Sequence, residues 1–304
     1  MLCDAFDALK EGNPFTAKDI LEETLSADLE NKEVIFTLKC ANFWCDSFRR
    51  VEQMQNPYQK ADTLLQNWKH FEEFISSIDG TQYEQGLFAV KRGVFSLAMK
   101  NYQSVLGENI SAHKSEILCK TGLCYKVLGN YEEAIQLLSE ANGLVQNSAE
   151  ILAELADCYA LCGEEKTAKV LFREAYFIEA QQVDTTFLES ELICRLIKQV
   201  EQLGYKKQVL QEWIPVYGVL YGVFNIKREL RALEVGKLKQ SIFALENELK
   251  EAGSDPLILI PRLINHYFWL IDHYVAANGE RARINETLLK IKLLDSNIHE
   301  KYTL

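Results

Sequence analysis

The sequence predicts an all-α protein built from helical hairpins, and three observations carry that expectation. Only 5 prolines and 15 glycines occur in 304 residues, of which 48% are hydrophobic; such a composition favours long helices around a continuous core over turn-rich strands or disorder. Residues 115–148 and 149–182 align without a gap at a period of 34. Further on, Val235, Leu238, Ile242, Leu245 and Leu249 recur at alternating spacings of three and four, one apolar seam of a helix.

In the two aligned segments Leu118 falls on Leu152, Gly122 on Ala156, Tyr125 on Tyr159 and Gly129 on Gly163, followed by Ala134 on Ala168, Leu138 on Phe172 and Ala141 on Ala175. Antiparallel helices approach closely only where side chains are small, so Ala134 and Ala168 are expected at the crossings, with Leu118, Tyr125 and Leu138 filling the space around them. Gly129 and Gly163 are expected in the turns, where a residue at positive φ ends one helix and lets the next fold back. This pattern resembles the tetratricopeptide (TPR) repeat. The resemblance implies a right-handed α-solenoid of TPR-like hairpins. The family's proline near the repeat end is absent, with Gln146 and Ala180 in its place, and its tryptophan is replaced by Leu118 and Leu152.

Weaker copies flank the pair. Gly12, Ala17 and Leu21 suggest a first hairpin beginning at the N-terminus. A longer helix from about Glu33 to Gln53 precedes Tyr58, Ala61 and Leu65, which imitate a second repeat helix. Gly86, Gly93, Phe95, Ala98 and Tyr102 suggest a repeat at 79–112, and Gly204, Val209 and Trp213 another after a seven-residue insertion. The solenoid is thus expected over 1–214, with 215–304 as a C-terminal helical cap, since a solenoid's last apolar face must be covered or used. Pro215, Gly218 and Gly222 predict a broken or kinked segment. The seam from Val235 to Leu249 follows; a coiled-coil contact is its alternative reading, with barely three heptads to support it. Gly253 ends that helix, Asp255-Pro256 starts the next, Asn278-Gly279 ends it, and a final helix runs to about Ile298.

Several functions are disfavoured. A formal net charge of -11 repels phosphate backbones, and basic pairs such as Lys206-Lys207 are too short to reverse it locally, so nucleic acid is not an expected partner. The first residues lack the basic and apolar regions of a signal peptide. The most apolar stretch, from Pro256 to Val275, carries Arg262, Asn265, His266, Asp272 and His273, a set that a lipid-facing helix would not tolerate, so it is expected in a core and no membrane insertion is implied. The eight cysteines form no CxxC pair and lie in helical patterns, as small, buried, reduced thiols of a cytoplasmic protein would. Cys158 and Cys162 share a helix face, but nothing adjacent in sequence completes a zinc site. No phosphate loop, metalloprotease or nucleophile-elbow signature is present, and no cofactor is implied.

The TPR resemblance places the concave face on the first helix of each repeat. It implies partner-binding residues Tyr83, Glu84 and Leu87, with Val90 and Lys91 beside them, then Glu116, Lys120 and Leu123, then Glu150, Glu154, Asp157 and Leu161. Glu150, Glu154 and Asp157 fall on one helical stripe. The family's Lys/Asn/Arg clamp for C-terminal carboxylates is not matched, because those positions carry acids and apolar residues. The stripe suits a peptide or helix bearing Lys or Arg; a merely solvated face is the plainer alternative. The expected function is that of a non-catalytic scaffold or adaptor. The alternatives are a structural subunit of a large assembly, such as a bacterial motility-associated complex, and a helical enzyme with an unrecognised site. The C-terminal helices are also a candidate surface for self-association.

Overall fold

A computed structural model of the chain describes residues 1–78, 82–106, 113–226, 229–277 and 281–304. Among the described residues there are fifteen α-helices and no strand. They gather into two compact units, Met1–Leu144 and Val145–Leu304.

The first unit contains α1 (Leu2–Lys10), α2 (Pro14–Ala27), α3 (Lys32–Glu52), α4 (Pro57–Ser77), α5 (Glu84–Leu106), α6 (Lys114–Val127) and α7 (Tyr131–Leu144). Their starts follow from local chemistry. Asn13, Asn31 and Asn56 each accept a hydrogen bond from a backbone N–H of the first turn, and Pro14 and Pro57 stand at the first helical position. Proline there forfeits only an N–H that no carbonyl of the helix could have used.

The second unit contains α8 (Ala149–Leu161), α9 (Glu165–Glu179), α10 (Glu191–Gln202), α11 (Lys207–Leu220), α12 (Ala232–Glu248), α13 (Pro256–Ala276), α14 (Arg281–Leu294) and α15 (Ser296–Thr303). One hydrophobic core runs from Ala149 through Phe172, Ile214 and Phe268 to Ile298.

The repeat is visible in the backbone bonds themselves. At the end of α6, Leu128 N–H donates to Cys124, Gly129 N–H to Lys126 and Asn130 N–H to Tyr125; after α8, Cys162, Gly163 and Glu164 make the corresponding bonds to Cys158, Ala160 and Tyr159. After α1, Glu11, Gly12 and Asn13 bond in the same way to Asp7, Leu9 and Ala8. The central glycine has φ of 76°, 85° and 82° at Gly12, Gly129 and Gly163, the left-handed value that this helix end requires. The small residues sit where close approach demands them: Ala17, Ala134 and Ala168 are fully buried, as are Leu21, Leu138 and Phe172 four residues later. Gly122 meets the same constraint, since a Cβ there would lie 2.8 Å from Leu138 Cγ. A fourth turn after α10 has Gly204 at φ 96° with Trp213 buried behind it.

Three expectations are corrected. The repeat foreseen at 79–112 is not a hairpin over the described residues, because α5 runs unbroken from Glu84 to Leu106. Gly93 is therefore in the middle of a helix, where a Cβ would come within 2.0 Å of Leu9 O and 3.1 Å of Gly12 N. Its smallness serves a crossing with the end of α1, not a turn. Pro215 does not break α11, which continues to Leu220. Trp213, Ile214, Val216 and Tyr217 are all buried around it, and that packing outweighs the lost hydrogen bond. The last helix is two: Asp295 caps α15 by accepting from Asn297 and Ile298 N–H, separating it from α14. The expected Asn278-Gly279 stop lies outside the described residues, and the border expected at 214/215 falls inside α11. Five of the eight free thiols are buried, but against expectation Cys3 on α1 and Cys162 at the C-cap of α8 are exposed and Cys194 on α10 is intermediate.

Two glycine substitutions separate packing from helix propensity. Gly143, in α7, would meet nothing within 4 Å if given a Cβ, so Gly143→Ala should raise stability by roughly 0.5–1 kcal/mol. The same change at Gly93 should lower it by roughly 1–3 kcal/mol despite alanine's better propensity, because backbone must move. Urea unfolding of the two variants checks this; signs opposite to those stated would refute the crossing.

Candidate partner-binding surface

Of the residues expected on a binding face, those of the first unit divide into two groups. Glu116 and Lys120 are one helical turn apart on α6 and are occupied internally. Lys120 Nζ lies 2.5 Å from Asp62 Oδ1 of α4, 2.8 Å from Glu116 Oε1 and 2.8 Å from the Tyr58 hydroxyl, which itself donates to Glu116 at 2.5 Å. Burial disfavours the charge on Glu116, but the hydrogen bonds from Lys120 and Tyr58 outweigh it and hold the carboxyl below its usual range. Burial likewise works against the Lys120 ammonium, and the bonds to Asp62, Glu116 and Tyr58 more than reverse that. These groups fasten α6 to α4. Leu123 is buried in the core.

Glu84 and Leu87 stand differently. They line a groove of about 460 Å³ between α4 and α5, together with Phe88 and Lys91 from α5 and Trp68, Phe71, Glu72 and Ile75 from α4. Phe88 is 55% exposed, an unusual position for a phenyl ring with apolar neighbours on the facing helix. Tyr83 stacks on Phe36 with ring centroids 4.7 Å apart, and Val90 is buried. The groove floor is built by an aromatic run: Trp68, Phe71 and Phe74 of α4 contact one another or Trp44 and Phe43 of α3. That run was legible in the sequence as Trp68, Phe71, Phe74 and Ile75 at helical spacing, a signal that the repeat register alone passed over.

In the second unit only Glu150 of the acidic stripe is exposed and Leu161 is intermediate. Glu154 and Asp157 are buried, contrary to the solvent-facing stripe foreseen. Asp157 holds backbone in place, because its two carboxylate oxygens accept the N–H groups of Glu189 at 2.8 Å and Ser190 at 2.9 Å. Those donors lie just ahead of α10, whose N-cap Ser190 makes no side-chain cap bond of its own. The seven-residue insertion before α10 thus folds back on α8, which places its backbone over Asp157. A negative charge at a helix N-terminus is favoured by the unpaired N–H groups and their dipole.

A second cluster in this unit was not foreseen. Arg262, Asn265 and His266, one face of α13, line a cavity of about 260 Å³ with Phe177 and Glu179 of α9, Glu212 of α11, and Ser241 and Leu245 of α12. The signal was available as three polar residues at i, i+3 and i+4 in an otherwise apolar helix. Elsewhere in the core, Arg173 pairs with Asp272, donates to Ile226 O at 3.2 Å and stacks over Trp269. No group of three or more His, Cys, Asp and Glu side chains among the described residues is arranged to hold a metal ion. None of the described helices is long and apolar enough to cross a membrane.

No family model matches the chain. A stretch of 58 residues, 19% of the chain, is 41% identical to part of the human protein O-mannosyl-transferase TMTC1. The chain covers 7% of that protein's length, and a 58-residue likeness spans less than two 34-residue repeats. It is compatible with a helical-repeat unit. The transferase activity in that name belongs to a protein of which 93% is not matched.

The Asp157 cap yields a local prediction. Asp157→Ala removes the acceptor of two backbone donors and should cost roughly 1–3 kcal/mol. Hydrogen exchange at the Glu189 and Ser190 amides should accelerate more than at the Gly129 amide. Unchanged protection at both positions would show that the bonds do not form in solution.

Proposed function

We propose that the protein is a non-catalytic scaffold of the tetratricopeptide type, its hairpins winding as a right-handed solenoid, that holds a partner peptide or helix. The observation that carries this reading is the groove between α4 and α5. It offers an apolar floor of Trp68, Phe71 and Ile75, an exposed Phe88 at its lip, and carboxylates at Glu72 and Glu84 on its rim. An amphipathic helix lays its apolar residues into a groove of this kind and fixes its register through charges at the edge. The net charge of -11 draws a basic partner by long-range attraction. Support for the repeat type comes from the recurring turn at Gly12, Gly129 and Gly163 and from the all-helical fold.

Glu84 and Leu87 are kept as partner-binding residues, and exposed Glu150 as a peripheral attraction for a basic segment. Glu116, Lys120 and Asp157, expected on the binding face, serve the partner indirectly, by fixing α6 to α4 and α8 to α10.

The test is peptide selection on the full chain, from a randomised helical library, followed by titration of the enriched sequences. Enrichment of apolar residues at i, i+3 or i+4 flanked by Lys or Arg is expected. Binding should fall at least tenfold in Phe88→Asp, fall less in Glu84→Lys, and weaken with salt, since exposed charges are screened over about 10 Å at 0.1 M. Selected peptides that bind Phe88→Asp as tightly as the native chain would remove the groove from consideration.

A further inference from the structure

The cavity on α13 in the second unit has an unusual polar balance. Glu212 is almost fully buried and receives Arg262 at both carboxylate oxygens, Nε to Oε2 at 3.2 Å and Nη2 to Oε1, while Gln181 adds a third donor at 3.1 Å. Arg262 Nη2 also donates to Glu179 Oε1 at 2.9 Å. One guanidinium is therefore shared by two carboxylates, and the second oxygen of Glu179 accepts no hydrogen bond among the described residues. Asn265 is only 3% exposed, yet its carboxamide makes no hydrogen bond among the described residues. Its amide atoms are not sealed from solvent and so open into the cavity that the residue lines, where a bound ligand can pair with them. His266 places Nδ1 2.8 Å from Arg262 O. Because a carbonyl only accepts, Nδ1 carries the proton and Nε2 is left as an acceptor.

We infer that this cavity receives a primary ammonium on an alkyl stem, supplied by a lysine side chain of a partner polypeptide. An ammonium has three N–H donors, and three residues lining this cavity each carry an acceptor that no hydrogen bond occupies: Glu179 Oε2, Asn265 Oδ1 and His266 Nε2. The uncompensated carboxylate supplies the opposite charge. Phe177, whose ring lies 5.2 Å from that of His266, offers an aromatic surface to the stem or the cation. Burial holds His266 down to about 4, so its ring is neutral near pH 7 and does not repel the incoming charge. A carboxylate ligand would instead face Glu179 and Glu212, and a purely apolar one would leave Asn265 unsatisfied. The identity of the source as a polypeptide rests on the scaffold reading above, but the ammonium chemistry does not use the α4–α5 groove.

The experiment titrates the full native chain with N-acetyl-lysine amide, N-acetyl-norleucine amide and n-butylamine, followed by side-chain amide resonances in nuclear magnetic resonance. The lysine amide should shift the Asn265 amide and bind at least tenfold tighter than the norleucine amide, and tighter than butylamine. Asn265→Leu breaks no internal hydrogen bond, so it should keep the melting temperature while weakening lysine amide binding at least tenfold. Glu179→Gln should do the same, since Arg262 keeps Glu212. Equal binding of the norleucine amide, no binding of either amine, or unchanged binding in both variants would overturn the proposal. Tighter binding of butylamine than of the lysine amide would overturn the polypeptide source. Peptide binding left unchanged by Phe88→Asp, with lysine amide binding retained here, would sink the groove alone.

Discussion

The close approach of two helices within a hairpin is the constraint on which the other features depend. A Cβ at Gly122 would run into Leu138, and Ala134, Ala168 and Ala17 are buried without remainder. Such contacts need both a small residue and a chain reversal short enough to hold the helices in register. The left-handed glycine with its three backbone bonds supplies the reversal, and it does so identically after α1, α6 and α8. Apolar residues on the outer faces then become available to bury against further helices, and the cores of both units grow from those faces.

Where local chemistry decides the structure, the sequence was readable. Asp255-Pro256 marks a helix start because a cap and a proline act within one turn, a signal that Asn13-Pro14 and Asn56-Pro57 also carry although the repeat register did not use it, and the seam from Val235 to Leu245 buries as its spacing foretold. A glycine can serve a turn or a crossing, and the identity of Gly93 does not say which; the partner that decides it, the end of α1, is remote in sequence. Pro215 carries a local penalty that only the surrounding core can outweigh.

The binding face was the least legible part for the same reason. A carboxylate on a helix looks alike in sequence whether it meets water, a backbone N–H or a guanidinium. Asp157 is drawn inward by an insertion whose path no periodicity describes, and Glu116, still exposed, is engaged by a lysine and a tyrosine. Glu84 and Leu87 reached a groove, although α5 is one helix and not the first half of a hairpin. Arg262, Asn265 and His266 show the converse: polar residues that interrupt an apolar helix were legible as not lipid-facing, but their common cavity needed α9, α11 and α12 to appear.

The junction of α1 with α5 at Gly93 bears on how the first unit comes apart. An ordinary repeat array is nearly one-dimensional: each hairpin touches its neighbours, nucleation can begin anywhere, and ends fray independently. Here the opening helix is clasped by one that follows three others in the chain, so α2, α3 and α4 lie inside a closed topological loop. Closing that loop spends chain entropy before the contact forms, which slows folding relative to a linear stack of the same helices. Once formed, it couples the amino-terminal hairpin to the floor of the α4–α5 groove, and the unit melts as one block where an open array would peel.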